Sequence, residues 1–205
     1  MFYSLLKPFL NSSTKRSLKR GEIIYHEGDL PTSLFFVESG LVGLFHISQS
    51  GKETFLRVFG KDSIFGHRSY FADSPYHANS VALENTDLVI IPKDQCQKIC
   101  ESRPDLLKEM TKMIARDLGD AELRLSGLKD KSAPRRIAEA LVFLKLKHPD
   151  HVWTRKEIAE FSGSTFESVA RVMTKLDELG FISKDGRDFI INNPQSILEF
   201  DGHQS

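Results

Sequence analysis

Between Gly21 and Pro92 the apolar residues come in short runs, rich in Phe, Val and Ile and separated by glycines: "EIIYHEGD", "SLFFVESGLVGLFHI", "ETFLRVFG" and "DLVIIP". Runs this short, broken at Gly-Asp, Ser-Gly and Gly-Lys, are the pattern of closely spaced strands and predict an antiparallel barrel or roll. Gly28 and Gly40 fall at such breaks and are expected in turn conformations that a side chain resists. There is no compact internal repeat.

Beyond Pro92 the period becomes helical. "KDQCQKIC" predicts a short helix and "SRPDLLKEMTKMIARDLGDAELRLSGLKD" a long one, opened by Ser102 with Asp105 three residues on. In the long helix Leu107, Ile114, Leu118, Ala121, Leu125 and Leu128 recur at spacings of seven, four, three, four and three, which makes an apolar seam. Two readings of that seam stay open: packing on the chain's own β-domain, or a two-stranded coiled coil with a partner helix, which the charged flanks suit. A linker is expected at Lys129 to Ala133, followed by a helix with Ile137, Ala140, Leu141 and Leu144 on its apolar face.

The last pattern is "TRKEIAEFSGSTFESVARVMTKLDELGF", which parses as two helices around a tight turn. Thr154 and Glu157 have the spacing of a capping box, Gly163 ends the first helix, and Thr165 with Ser168 opens the second. Val169, Val172, Met173, Leu176 and Leu179 form its buried stripe, leaving Phe166, Glu167, Ala170, Arg171 and Lys175 outward. "FISKDGRDFIIN" reads as two strands joined at Asp185-Gly186, so the segment is a winged helix-turn-helix. The fold class is α+β, with a β-roll or jelly roll over 1–103, a long helix and hinge over 104–131, and the winged helix over 132–205.

Composition narrows the partners. The 205 residues, 40% hydrophobic and 27% charged, suffice for real cores in two small domains. Formal net charge is zero, so nucleic-acid binding has to come from a local patch. Cys96 and Cys100, the two cysteines, are too few for a disulfide framework and suit a reducing compartment. No apolar run reaches membrane-spanning length, and "MFYSLLKPFL" lacks the basic start of a signal peptide and breaks at Lys7-Pro8, so a cytoplasmic chain without membrane partners is expected.

The chemistry sits on the second helix of the turn motif. Glu167 and Arg171 are separated by four residues and project from one face. A carboxylate accepts from cytosine N4 and a guanidinium bonds guanine O6 and N7, which makes the pair fit for reading a C·G base pair. An ordinary surface pair bracing the helix is the plain alternative, and the position near the N terminus of a recognition helix favours base reading.

With these residues in hand, the chain resembles the Crp/Fnr family of bacterial transcription regulators over nearly its whole length. The motifs "GEIIYHEGD", "LFFVESG", "SGKE", "IFG" and "TRKEIAEFSGSTFESVARVM" carry the resemblance by their order and spacing. It implies a cyclic-nucleotide-binding-like roll, a long dimerisation helix and a homodimer on a pseudo-palindromic operator of double-stranded DNA. RNA polymerase is a partner where such a protein activates. Thr154, Thr165, Phe166, Glu167, Ser168, Arg171 and Lys175 are then the expected DNA contacts, with Phe166 standing where cyclic-AMP-responsive members carry an arginine.

The same resemblance marks Gly66, His67, Arg68, Ser69, His77, Ala78, Ala121 and Glu122 as the ligand-binding positions. His67 replaces a ribose-holding glutamate, His77 and Ala78 replace a phosphate-holding Arg-Ser pair, and Ala121 and Glu122 replace hydroxyl residues that meet adenine. A cyclic phosphate needs a cation and donors in a partly desolvated site, so cyclic AMP is not expected as effector. Two imidazoles offer an anion little at pH 7 and more on protonation near their reference pKa of about 6.5. An iron–sulfur cluster needs about four thiolates and is not expected. Haem, another small effector, or an empty roll stay open. A cupin-type metal-dependent enzyme fused to a DNA-binding domain, with His26, His46, His67 and His77 as ligand candidates, is the alternative to a regulator that is not an enzyme.

Overall fold

The computed structural model describes residue 6, residues 9–10 and residues 13–202. The opening segment read above for a signal peptide lies mostly outside them. The chain divides into two compact units between Ala121 and Glu122.

The first unit is an antiparallel roll of two four-stranded sheets. Its strands are β1 (Thr14–Leu18), β2 (Ile23–Tyr25), β3 (Ser33–Ser39), β4 (Val42–Ile47), β5 (Glu53–Phe59), β6 (Ile64–Phe65), β7 (Asn79–Ala82) and β8 (Thr86–Pro92), with helix α1 (His67–Phe71) between β6 and β7. The sheet orders are β1-β8-β3-β6 and β2-β7-β4-β5. Strand β1, "TKRSL", was not foreseen: it is a polar edge that pairs Thr14 with Ile90 and Leu18 with Thr86. Gly28 and Gly40 take φ of 89° and 87°, as expected, and a Cβ on Gly40 would stand 2.5 Å from the Asn85 carbonyl oxygen.

Strand β3 explains why "SLFFV" is apolar without alternation. Phe35 and Val37 join Tyr25, Val42, Leu44, Phe65, Tyr76 and Leu88 between the sheets, while Leu34 and Phe36 face the other way. There they meet α2 (Lys93–Ser102) and the start of α3 (Pro104–Asp130) through Cys96, Ile99, Leu106 and Met110. Both faces of the strand are therefore dry.

Ser102 does not open the long helix. It is the last residue of α2, its hydroxyl donating to the Lys98 carbonyl at 2.7 Å, and Arg103 at φ −134° and ψ 76° separates the two helices. Pro104 causes this, because it bars the preceding residue from helical geometry while itself fitting a first helical position. Helix α3 then runs 27 residues, about 40 Å at 1.5 Å per residue.

The expected linker shrinks to Lys131 and Ser132. Ser132 caps α4 (Ala133–Lys147), whose Ile137, Ala140, Leu141 and Leu144 are all buried as read from the sequence. They pack in the second unit with Ile158 of α5 (Arg155–Ser162), with Val169, Val172 and Leu176 of α6 (Phe166–Glu178), and with Phe189 of the wing. The wing pairs β9 (Ile182–Asp185) with β10 (Asp188–Ile191), and Asp185 lies opposite Asp188. Its loop is thus Gly186–Arg187 rather than Asp185-Gly186, which gives glycine, at φ 58°, the first loop position. A short helix α7 (Pro194–Glu199), absent from the sequence reading, closes the core with Ile197.

Candidate nucleic-acid interface and sensor cleft

The turn motif is held by paired caps. Thr154 accepts from the Glu157 amide at 3.2 Å, and a Glu157 carboxylate oxygen accepts from the Thr154 amide and hydroxyl, both at 2.8 Å. His151 Nε2 stands 3.5 Å from the same carboxylate, and its ring meets Trp153 edge-on at 4.5 Å. Burial works to raise the Glu157 carboxyl, but the bonds from His151 and from the Thr154 amide and hydroxyl outweigh it and keep it below the usual range. Glu157 is thus a buried carboxylate whose acceptors are used, which fixes where α5 starts.

Gly163 ends α5 at φ 65°, and a Cβ there would lie 3.2 Å from Leu128 Cδ2. Arg136 of α4 ties the turn down by donating to the Ser162 carbonyl at 3.2 Å and the Gly163 carbonyl at 3.4 Å. Sequence reading missed this residue: a charge on an apolar helix gives no sign that it serves the carbonyl end of another one.

Helix α6 begins at its cap Thr165, which accepts from the Ser168 amide at 3.2 Å. Thr165 Oγ1 also donates to Ser168 Oγ at 3.1 Å, and Arg171 donates to that same oxygen at 3.1 Å. The guanidinium is therefore braced by Ser168 rather than by Glu167. Phe166, Glu167 and Arg171 are exposed, whereas Ala170 and Lys175 are half-buried. Glu167 occupies the first turn, where the helix dipole favours a negative charge even before any ligand arrives. A shallow depression lined by Ala170, Arg171, Thr174, Lys175 and Glu178 follows along the same face.

The ligand positions marked in the sequence separate into three groups. Gly66 caps α1 at φ 83°, and Ser69 is buried and bonded to the Pro75 carbonyl at 3.1 Å. His67 is buried with Nε2 3.2 Å from Asp117 Oδ2, and Arg57 makes an ion pair with the same carboxylate. Arg57 and Asp117 went unnoticed in the sequence.

His77 forms a second group with Arg68 and Ala78. Ala78 is fully buried and Arg68 exposed. Burial first, then the Arg68 charge, push the His77 pKa down to about 4, with Glu27 opposing. Both act against the protonation near pH 6.5 expected of a free imidazole. Ala121 and Glu122, the third group, are exposed on α3.

Cys96 is buried and its thiol pushed up to about 12, mainly by burial, while Cys100 moves in the same direction for the same cause. Such thiols are packing groups with little thiolate character. Among the described residues no group of three or more His, Cys, Asp or Glu side chains is placed to hold a metal ion, and no helix is long and apolar enough to cross a membrane.

Known proteins match this arrangement. Residues 15–103 match the family described as the cyclic nucleotide-binding domain, and residues 135–200 the Crp-like helix-turn-helix domain. The cyclic AMP receptor protein of Thermus thermophilus is 30% identical over 170 residues, covering 82% of this chain and 79% of its own. The transcriptional activator protein anr of Pseudomonas aeruginosa is 27% identical over 198 residues, with 92% and 81% covered. FixK2 from Bradyrhizobium japonicum shares the fold at a TM-score of 0.82 and 20% identity, over 94% of this chain and 99% of that one. Both matched domains, their order and the recognition helix belong to non-enzymatic regulators, which removes the cupin-type enzyme. The chain is a member of the Crp/Fnr family of DNA-binding transcription regulators.

Proposed function

We propose that the protein acts as a homodimer on an inverted repeat in double-stranded DNA, reading a C·G pair in each half-site with Glu167 and Arg171. The carrying observation is their joint exposure on α6, with Arg171 held toward the helix start through Ser168 and Thr165. Thr154, Thr165, Ser168 and Lys175 lie at or along the same motif and supply phosphate contacts, which orient the helix without reading sequence. Pairing through the α3 seam is supported by exposure of Leu118 at 61%, Leu125 at 69% and Leu128 at 52%. RNA polymerase is the further partner at promoters where the protein activates, and the cytoplasm is the place of action.

The effector is not cyclic AMP and the protein carries no iron–sulfur cluster. The relative from Thermus thermophilus is by its name a cyclic AMP receptor; here the positions for ribose and phosphate hold His67, engaged by Asp117, and His77, kept neutral. Two cysteines fall short of the four thiolates that a cluster takes. Selection of binding sites from random duplexes tests the DNA reading: enrichment of an inverted repeat supports it, and enrichment of no repeat contradicts it. Titration calorimetry tests the effector reading, since micromolar binding of cyclic AMP contradicts it.

A further inference from the structure

The carbonyl end of α5 is held from two other helices. Arg124 of α3 donates to the Phe161 carbonyl at 2.9 Å, and its guanidinium carbon lies 4.3 Å from the centre of the Phe161 ring. Arg136 of α4 donates to the Ser162 carbonyl at 3.2 Å and the Gly163 carbonyl at 3.4 Å, and its remaining guanidinium nitrogen donates to the Lys131 carbonyl at 2.9 Å. Arg136 thus places all three nitrogens on carbonyls, two at the end of α5 and one on the residue that follows α3. Packing repeats the connection: Leu128 Cδ2 stands 3.2 Å from where a Cβ on Gly163 would be, so glycine lets the last turn of α3 close on the turn.

The last carbonyls of a helix have no partner within it, and a cation there also meets the negative end of the helix dipole. Capping alone needs one such cation. Here hydrogen bonds, a stacked ring and side-chain packing all run from the last two turns of α3 and Lys131 to Phe161, Ser162 and Gly163, directly ahead of the turn into α6. We infer that Arg124 and Arg136 are positioning residues for operator binding: they hold the end of α3 and the helix-turn-helix as one rigid piece, and so set the half-site spacing that the dimer accepts. This rests on the homodimer and inverted repeat proposed above. Two recognition helices in successive major grooves have to stand about 34–36 Å apart, one helical turn, or a multiple of it. Pairing through the α3 seam fixes that separation only where each α6 follows its own α3 without slack. A planar guanidinium that bonds a carbonyl and stacks on a ring resists both sliding and twisting, which the single point charge of a lysine does not.

The test measures binding of the full-length protein to its selected inverted repeat and to duplexes with one base pair added at, or removed from, the centre. Each change shifts a half-site by about 3.4 Å and rotates it by about a tenth of a helical turn. The wild type is expected to lose at least about ten-fold in affinity on either altered duplex, within the range of one mismatched base pair. Arg124→Met keeps the length of the side chain without its donors. It should bring the three spacings to within about three-fold of one another, less than one mismatch is worth, with the same bases preferred in each half-site. Arg124→Lys, which retains the charge and a donor, should lie between the two, and Arg136→Lys should relax the spacing as Arg124→Met does. Arg124 is exposed, so Arg124→Met keeps the fold and the dimer, which circular dichroism and sedimentation velocity check. A monomeric Arg124→Met contradicts the assignment, because the guanidinium would then serve the helix pair rather than the turn. A wild-type spacing penalty retained in Arg124→Met or Arg136→Lys, with an equal loss on all three duplexes, marks a merely structural role and overturns the inference. A wild type that selects an inverted repeat but binds all three spacings alike overturns it too, while leaving the DNA reading in place. If the wild type selects no repeat, both fall together.

Discussion

His67 Nε2 lies 3.2 Å from a carboxylate oxygen of Asp117, and this contact joins the first residue of α1 to the middle of α3. Arg57 of β5 reaches the same carboxylate, so one acid on the helix receives two roll side chains.

The first prediction concerns that acid. Burial acts to raise the Asp117 carboxyl, but the bonds from His67 and Arg57 and the Arg57 charge hold it below its usual value of 3.8. A depressed carboxylate contributes stability that is complete above its unfolded pKa and is lost as pH falls through the folded one. Asp117→Ala should therefore destabilise the roll by about 1–3 kcal/mol at pH 7, because it strands a buried imidazole and a guanidinium. Urea unfolding followed at β3 and β8 amides checks it. The gap between wild type and variant should shrink below pH 4, and a gap independent of pH contradicts the assignment.

A second prediction follows from His77. With its pKa pushed down to about 4, its contribution to stability is present at neutral pH and declines as pH falls from about 6.5 towards 4. Proton NMR of the ring should give a midpoint near the lower value, moving upward in Arg68→Ala. A midpoint at the ordinary histidine value would show that the ring is solvated and able to charge for an anion.

How far the sequence reached is clearest on α3. Its apolar seam was read with two possible neighbours left open, and the stripe that seats the helix on the roll, Leu106, Met110 and Met113, went unread. Both stripes have helical spacing, and periodicity does not say which neighbour each one meets. The winged helix was legible almost residue by residue because caps, glycine breaks and a strong amphipathic pattern are local signals. Arg57 and Asp117, sixty residues apart, are joined only by tertiary packing, and no local rule pairs a strand arginine with a helix aspartate. Phe166 was read as outward from the helical pattern and is exposed in the fold.

The two stripes on α3 separate in a third prediction. Leu118→Glu with Leu125→Glu should give folded monomers in sedimentation velocity, because those side chains are exposed in the single chain. Met110→Ala, a change at 3% exposure, should instead lower roll stability by about 2–5 kcal/mol and leave a dimer. An undiminished dimer in the double glutamate variant sinks the seam as the interface.

Lys175 gives a fourth. Its ammonium is 3.9 Å from Glu178, a loose pairing that a phosphate can displace. Lys175→Ala should weaken specific and random duplexes alike and reduce the slope of log affinity against log salt by about one per subunit. Loss confined to the selected duplex would make Lys175 a base-reading residue instead.

The central claim is that Glu167 and Arg171 read the operator, and binding-site selection run in parallel on the wild type and Arg171→Ala tests it most directly. The account predicts an inverted repeat for the wild type, with one guanine in each half-site whose preference disappears in the variant. Affinity should fall by about 1–3 kcal/mol per half-site, the worth of one bidentate contact. Recovery of the same motif, guanine included, by Arg171→Ala would contradict it.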